Sequence, residues 1–240
     1  MFHVKHAPRW TSIRLAVSEL MPPFEIALQS AESASGIWLS RTQMQLIAEF
    51  CRILTESNTR MHLVSRSKDP TAVIVDQILE SLLVHPLIEI LKPLRILDLG
   101  SGAGFPGIPL SILNPSCSFV LLDASQRRTT HLLRTAKRLS LKNVLVVRER
   151  AENLAKMATH QKAYDLVTAR AVTDPSHLML WARTLLGCHG TLLVYMGPDE
   201  AARLHQSVHS LPSHIRPQVI RCLDTRINVT RPRRLVLLQF

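Results

Sequence analysis

Four of the chain's eight glycines, Gly100, Gly102, Gly104 and Gly107, fall in one loop directly after the run Arg95-Ile96-Leu97-Asp98-Leu99. In a chain this poor in glycine, such a concentration marks backbone that turns tightly or is closely approached. An apolar strand that enters a glycine-rich turn and then a helix is the opening unit of a doubly wound α/β sheet. In that fold, ligands bind at the carboxyl ends of the strands.

The rest of the chain repeats the same alternation. Strands are expected at 94–99, 118–123, 143–148, 164–169, 190–196, 217–223 and 234–239, with helices near 107–113, 126–140, 151–158, 175–186 and 199–210. Apolar strands alternating with helices imply a mostly parallel, Rossmann-like sheet covered on both faces. The last two strands are joined only by Leu223 to Arg233, a connection that suits an antiparallel hairpin. Upstream, Ser40 and Gln43 have the spacing of a capping box. Met44, Ile47, Cys51 and Leu54 then share one helical face. Asp69-Pro70 reads as an N-cap followed by a first-turn proline, and Val75, Ile78, Leu79 and Leu82 continue a second helix. The expected organisation is a poorly ordered extension at 1–39 interrupted by Pro22-Pro23, a helical segment at 40–92 packed on the main domain, and a ligand-binding α/β domain at 93–240.

Two ligand classes compete for the loop. Gly102 to Gly107 satisfies GxGxxG, a weak dinucleotide signal by itself. Asp98 opposes that reading, since a carboxylate just before the loop repels a pyrophosphate. S-adenosylmethionine carries a sulfonium and an ammonium, which a nearby carboxylate attracts. The pattern Asp98-x-Gly100-x-Gly102-x-Gly104 therefore favours the methyl donor. Asp123 closes the second expected strand, where an acid can accept hydrogen bonds from ribose hydroxyls. It can equally cap the helix that starts near Ser125.

Charge points to an anionic partner. Lys and Arg number 29 against 18 Asp and Glu, a formal net charge of +11. Nucleic acid is the first reading, a membrane surface the second, and a merely solvated basic face the plain alternative. No apolar run approaches the length of a membrane span. The basic start has no apolar core for a signal peptide, so a cytoplasmic protein is expected. The acid-free stretch Met1 to Arg14 faintly resembles a transit peptide and is read as a tail or alternative start. Cys51, Cys117, Cys188 and Cys222 are widely spaced, which argues against zinc and for buried reduced thiols. No metal ligand is assigned among the eleven histidines.

Longer stretches carry a resemblance. Ile96 to Leu110, including Phe105-Pro106-Gly107-Ile108-Pro109, is followed by Leu121-Leu122-Asp123 with Arg127-Arg128, then Arg150-Ala151-Glu152, and Asp165 to Ala171 with Arg170-Ala171. Together these resemble the bacterial small-subunit rRNA guanine-N7 methyltransferases, the glucose-inhibited division protein B family. The likeness runs from about residue 41 to the C-terminus. It implies a class I methyltransferase domain, S-adenosylmethionine as cofactor, and 16S rRNA as partner within the small ribosomal subunit or an assembly intermediate. It further implies cofactor contacts at Gly100, Phe105, Ala151, Glu152 and Arg170, which join Asp98, Gly102, Gly104 and Asp123 from the residue reading. Glu152 alternatively reads as a first-turn helix acid, and Arg170 as a surface ion pair.

The chain departs from the family pattern in several places. Phe105 stands for a usual leucine, Gln77 and Glu80 occupy a His-x-Leu-Asp-Ser-type element, and Met196 replaces a lysine. The cofactor half is thus better preserved than the RNA-facing half. Guanine N7 bears a proton-free lone pair, so its methylation calls for positioning rather than a general base. No catalytic residue is assigned. RNA contacts are expected from Arg216, Arg221, Arg226, Arg231, Arg233 and Arg234, or from Arg127, Arg128, Arg134, Lys137 and Arg138 on one helix. The alternatives are a methyltransferase with another substrate, a nicotinamide-dependent oxidoreductase, and a non-catalytic RNA binder.

Overall fold

The computed structural model describes residues 39–64, 70–170, 175–208, 212–213, 216–217, 219–224 and 234–240. Expectations for 1–38, for Asp69, and for Arg226, Arg231 and Arg233 fall outside those residues.

The described chain begins with helix α1 (Arg41–Met61). The Ser40 hydroxyl accepts from Gln43 N–H at 3.2 Å, and the Gln43 side chain accepts from Ser40 N–H at 2.8 Å. This is the expected capping box, and it satisfies two donors that no helical carbonyl can reach. Met44, Ile47, Phe50, Cys51, Ile53 and Leu54 are buried, which confirms the apolar stripe. Helix α2 (Pro70–Leu82) follows, with Val75, Ile78, Leu79 and Leu82 buried. Helix α3 (His85–Leu91) was not expected from the sequence; its signal is Pro86 in the first turn.

The sheet then builds in βα steps: β1 (Arg95–Leu99), α4 (Gly107–Leu113), β2 (Ser118–Asp123), α5 (Gln126–Arg138), β3 (Val144–Arg148), α6 (Ala151–Leu154) and β4 (Tyr164–Arg170). Next come α7 (Pro175–Leu185), β5 (Leu186–Met196), α8 (Pro198–Val208), β6 (Val219–Asp224) and β7 (Arg234–Gln239). The strand order is β3-β2-β1-β4-β5-β7-β6. The first five strands are parallel, and β7 runs antiparallel to both β5 and β6, which gives the expected final hairpin.

Two boundaries differ from expectation. Helix α6 stops at Leu154 rather than near 158, because Lys156 to Thr159 are exposed and offer no buried stripe to extend it. Strand β5 starts at Leu186, four residues early, through a pairing of Leu186 with Tyr164 across a register irregularity. Cys51 and Cys117 are buried as expected, whereas Cys188 is exposed on this extension.

Alternation along the strands sorts their side chains into two cores. Ile96, Phe119, Leu121, Leu166, Leu193 and Tyr195 face the side covered by α1, α2, α4 and α5. Leu97, Leu99, Val120, Leu122, Val167 and Ala169 face the other side, under α7 and α8. The N-terminal helices are therefore part of the cover of one face of the sheet and share its core. They lie over the face that carries Asp98, Thr168 and Tyr195, since these alternate with Leu97, Val167 and Val194.

Replacing Ser40 with Ala removes the cap and is expected to lower stability by about 1 kcal/mol. The midpoint of a urea transition measures it.

Candidate functional site

The parallel strands end on one edge. Strand β1 lies between β2 and β4, so the chain winds outward in opposite directions from it, and the crevice of a doubly wound sheet opens at that switch. The glycine loop leaves β1 there. Its Ser101 N–H donates to the Leu122 carbonyl at 2.9 Å, and Gly104 N–H to the Ser101 carbonyl at 2.7 Å, so the turn folds back on β2.

Two carboxylates fix the loop from beneath. Asp98 is 1% exposed; its Oδ1 accepts from Thr168 Oγ1 at 2.9 Å and its Oδ2 from Gly107 N–H at 3.1 Å. Asp98 and Thr168 are in register on adjacent strands, so their side chains meet on the same face. Burial pushes the Asp98 carboxyl up to about 6, against the lowering effect of hydrogen bonds from Ser101, Thr168 and Gly107 and of the Arg170 charge. Asp123 is 5% exposed and accepts from Gly102 N–H at 3.0 Å and from Ser125 N–H at 2.8 Å, with Arg128 3.6 Å away. Both acids therefore grip the loop directly. The helix cap proper is Ser125, whose hydroxyl accepts from Arg128 N–H at 3.5 Å.

Close approach explains the glycines. A Cβ at Gly107 would collide with Leu121 and lie 2.7 Å from Asp98 Oδ2. Gly104 has φ +107, and a Cβ there would come within 2.9 Å of Ile108. At Gly102 (φ +56) a Cβ would meet only the Gly100 carbonyl at 3.7 Å, so space lies open over the loop.

Arg170 ends β4 with its guanidinium 5.2 Å from the centroid of the Phe105 ring. It pairs with Glu80 at 3.3 Å and donates to the Gln77 side chain. The two departures on α2 thus converge on one expected site residue. Phe105 is 2% exposed and meets Phe50 edge-on at 5.3 Å. Its ring fills the core between α1 and Arg170 rather than projecting from the loop. Ala151 and Glu152 start α6, beyond the end of β3; Arg148, the last residue of β3, is in register with Asp123. Glu152 is partly exposed, and its carboxylate lies 3.6 Å from the exposed Arg150. Such a pair contributes little stability and leaves the acid available. Met196 is buried on β5.

The sequence reading missed Thr168, Ser101 and Tyr195. Tyr195 pairs in register with Arg170, and its buried hydroxyl has no hydrogen-bond partner among the described residues. Burial holds that hydroxyl well above the usual phenol range, so it is a neutral donor beside Arg170, Asp98 and Glu80. Its sequence signal is a polar ring that follows the aliphatic run Leu192-Leu193-Val194. The site thus offers an open glycine surface, a partly exposed carboxylate, and an orphaned donor near one arginine. That set suits a cationic ligand with ribose hydroxyls, such as S-adenosylmethionine.

Comparison with known proteins adds the following. The family model "GidB: rRNA small subunit methyltransferase G" matches residues 43–229. The ribosomal RNA small subunit methyltransferase G of Carboxydothermus hydrogenoformans is 33% identical over 174 residues, covering 72% of this chain and 73% of that protein. Its counterpart in Chlorobaculum tepidum is 31% identical over 180 residues, 75% of this chain and 80% of that one. Among solved structures, the O-methyltransferase from Bacillus cereus in complex with SAH superposes with TM-score 0.61 at 14% identity, over 93% of this chain and all of that one (100%). A putative O-methyltransferase from Klebsiella pneumoniae gives 0.58 at 13% identity, over 79% and 89%. These likenesses give the class I methyltransferase fold.

Asp98 has a raised pKa when folded, so its contribution favours folding below about pH 4 and is lost as pH rises through about 6. Relative to Asp98→Asn, wild-type stability should fall by roughly 2–3 kcal/mol over that window, since each tenfold change in proton affinity is worth about 1.4 kcal/mol. Paired urea titrations from pH 4 to 8 check it; a difference that does not change with pH would refute it.

Proposed function

Because the chain belongs to the rRNA small subunit methyltransferase G family, we propose that it transfers the methyl group of S-adenosylmethionine to N7 of a guanine in 16S rRNA. The enzyme is an S-adenosylmethionine-dependent rRNA methyltransferase. The finer reading is the base, the 16S molecule, and its context in the small subunit or an assembly intermediate. The observation that carries the cofactor part is the glycine loop pinned from below by Asp98 and Asp123, with its upper surface open.

Gly100, Gly102 and Gly104 supply backbone that the cofactor can approach. Asp123 and Glu152 are the acceptors for its ribose hydroxyls, and Ala151 is the small neighbour that lets Glu152 lie close. Arg170, seated on Phe105 and braced by Glu80 and Gln77, shapes the floor at the end of β4. When bound, the cofactor supplies an electrophilic methyl on a positively charged sulfur. With guanine N7 as acceptor, its lone pair would take that methyl as the carbon–sulfur bond broke, and the positive charge would pass to the purine. No proton leaves N7, so the chain's task is alignment and a negative local field. Asp98 and Asp123 provide that field without touching the acceptor.

The net charge of +11 supports an RNA partner. Arg127, Arg134 and Lys137 on α5 and the C-terminal arginines Arg216, Arg221, Arg226, Arg231, Arg233 and Arg234 are the proposed phosphate contacts. Among the described residues no helix is long and apolar enough to cross a membrane. We place the activity in the cytoplasm, where small subunits are assembled.

Incubation with labelled S-adenosylmethionine and small subunits lacking the modification should place label on one guanine N7. Absence of label with cofactor binding intact would support the non-catalytic RNA binder instead. Glu152→Ala should weaken cofactor binding by roughly tenfold, the effect of one lost hydrogen bond to a charged group. Calorimetric titration measures it.

A further inference from the structure

Helix α7 carries an accessible aromatic stripe on the side away from the sheet. Leu178, Met179, Ala182 and Leu185 face the sheet and are fully buried. His177, Leu180 and Trp181 have the i, i+3, i+4 spacing that brings helical side chains together. The His177 and Trp181 rings stack, with centroids 5.9 Å apart and planes 13° from parallel. Trp181 is half-buried and packs against the core under α7 and α8. His177 is exposed, and Leu180 is 45% exposed. The inner ring is thus anchored and the outer ring open. One side of the imidazole meets the indole, so the surface it exposes is its other face and its edges.

A second stacked pair, His160 and Tyr164, is occupied within the protein. Its members share a hydrogen bond at 2.5 Å, and Arg95 stands 5.0 Å from the Tyr164 centroid. His177 and Trp181 make no side-chain hydrogen bond to a described residue. Their place in the fold also differs. Tyr164 starts β4, at the edge opposite the glycine loop. Strand β4 ends at Arg170 on the ligand-binding edge, and α7 starts at Pro175. That length of chain spans at most about 18 Å, so the first turns of α7, with His177, stand near that edge. Helix α7 contains no Asp or Glu, in a chain of net charge +11.

We propose that the His177–Trp181 stack is a platform on which one unpaired base of the RNA substrate stacks, flanking the nucleotide that is methylated. A nucleotide is a flat apolar face on an anionic backbone. An exposed ring with an anchored ring behind it matches the face, and an acid-free helix on a cationic protein admits the backbone. Leu180 gives the rim of the base an apolar neighbour. Stacking tolerates any base, so the platform holds the strand without reading its sequence. The inference rests on the rRNA reading above for the source of the base. It adds an interaction surface apart from the cofactor loop and from the arginine clusters.

His177→Ala removes the outer ring at an exposed position, and His177→Phe keeps a flat ring without its nitrogens. His177→Ala should weaken binding of a short single-stranded oligoadenylate about tenfold, whereas His177→Phe should bind within about twofold of wild type. An abasic strand of the same length, which keeps the phosphates, should bind wild type and His177→Ala alike. SAH affinity and the thermal midpoint should stay at wild-type values in both variants. If wild type methylates rRNA and His177→Ala binds oligoadenylate as tightly as wild type, the platform is overturned and the methylation reading stands. If rRNA is not methylated while His177→Ala loses affinity and His177→Phe keeps it, the platform stands and the methylation reading fails. Equal loss in both variants assigns the contact to the imidazole nitrogens and overturns the platform. Equal loss by His177→Ala on the abasic strand, or wild type that does not bind oligoadenylate, overturns it as well.

Discussion

The hydrogen bond from Gly107 N–H to the buried Asp98 carboxylate ties the loop to the sheet. A carboxylate in a dry core is costly, and this one is kept by Ser101, Thr168, Gly107 and the field of Arg170. Asp123 repeats the device one strand over, on Gly102. The two acids hold both ends of one loop at a fixed height above the strand ends. Gly107 has to be glycine for this, because any Cβ there would occupy the space of the Asp98 oxygen and of Leu121.

Three of the departures from the family pattern are connected with one another. Phe105, Gln77 and Glu80 all touch Arg170, from the loop and from α2. A larger ring at 105 gives the guanidinium a π face, and its edge contact with Phe50 anchors the loop to α1. Glu80 compensates the arginine's charge in a half-buried place, where an unpaired ion is costly. The N-terminal helices therefore do more than cover the sheet; they brace Arg170 at the end of β4.

The fold was legible because its signals are local. Alternating apolar runs, turn glycines and capping residues act within a few positions of one another, and the seven strands and their antiparallel ending followed from them. Elements that depend on distant partners were not legible. Helix α3 and the early start of β5 are settled by packing and by the pairing of Leu186 with Tyr164, which no local pattern encodes. Helix α6 ended early where Lys156 to Thr159 lie exposed with nothing packed over them, a fact about the neighbouring surface.

The same division holds at the site. By itself the sequence determined which residue types are present, where the loop must bend, and that Asp98, Asp123, Glu152 and Arg170 gather at strand ends, since parallel strands all end on one edge. Only the tertiary structure decided which way each side chain faces. It turned Asp98 and Asp123 inward onto backbone N–H groups, sank Phe105 into the core, and brought Glu80 and Gln77 to Arg170 across about ninety positions of chain. It also left Tyr195, His131 and Thr135 with buried polar atoms that no described residue satisfies. The reason is physical: strand and turn propensity are set by neighbours in sequence, whereas hydrogen-bond partners and burial are set by neighbours in space.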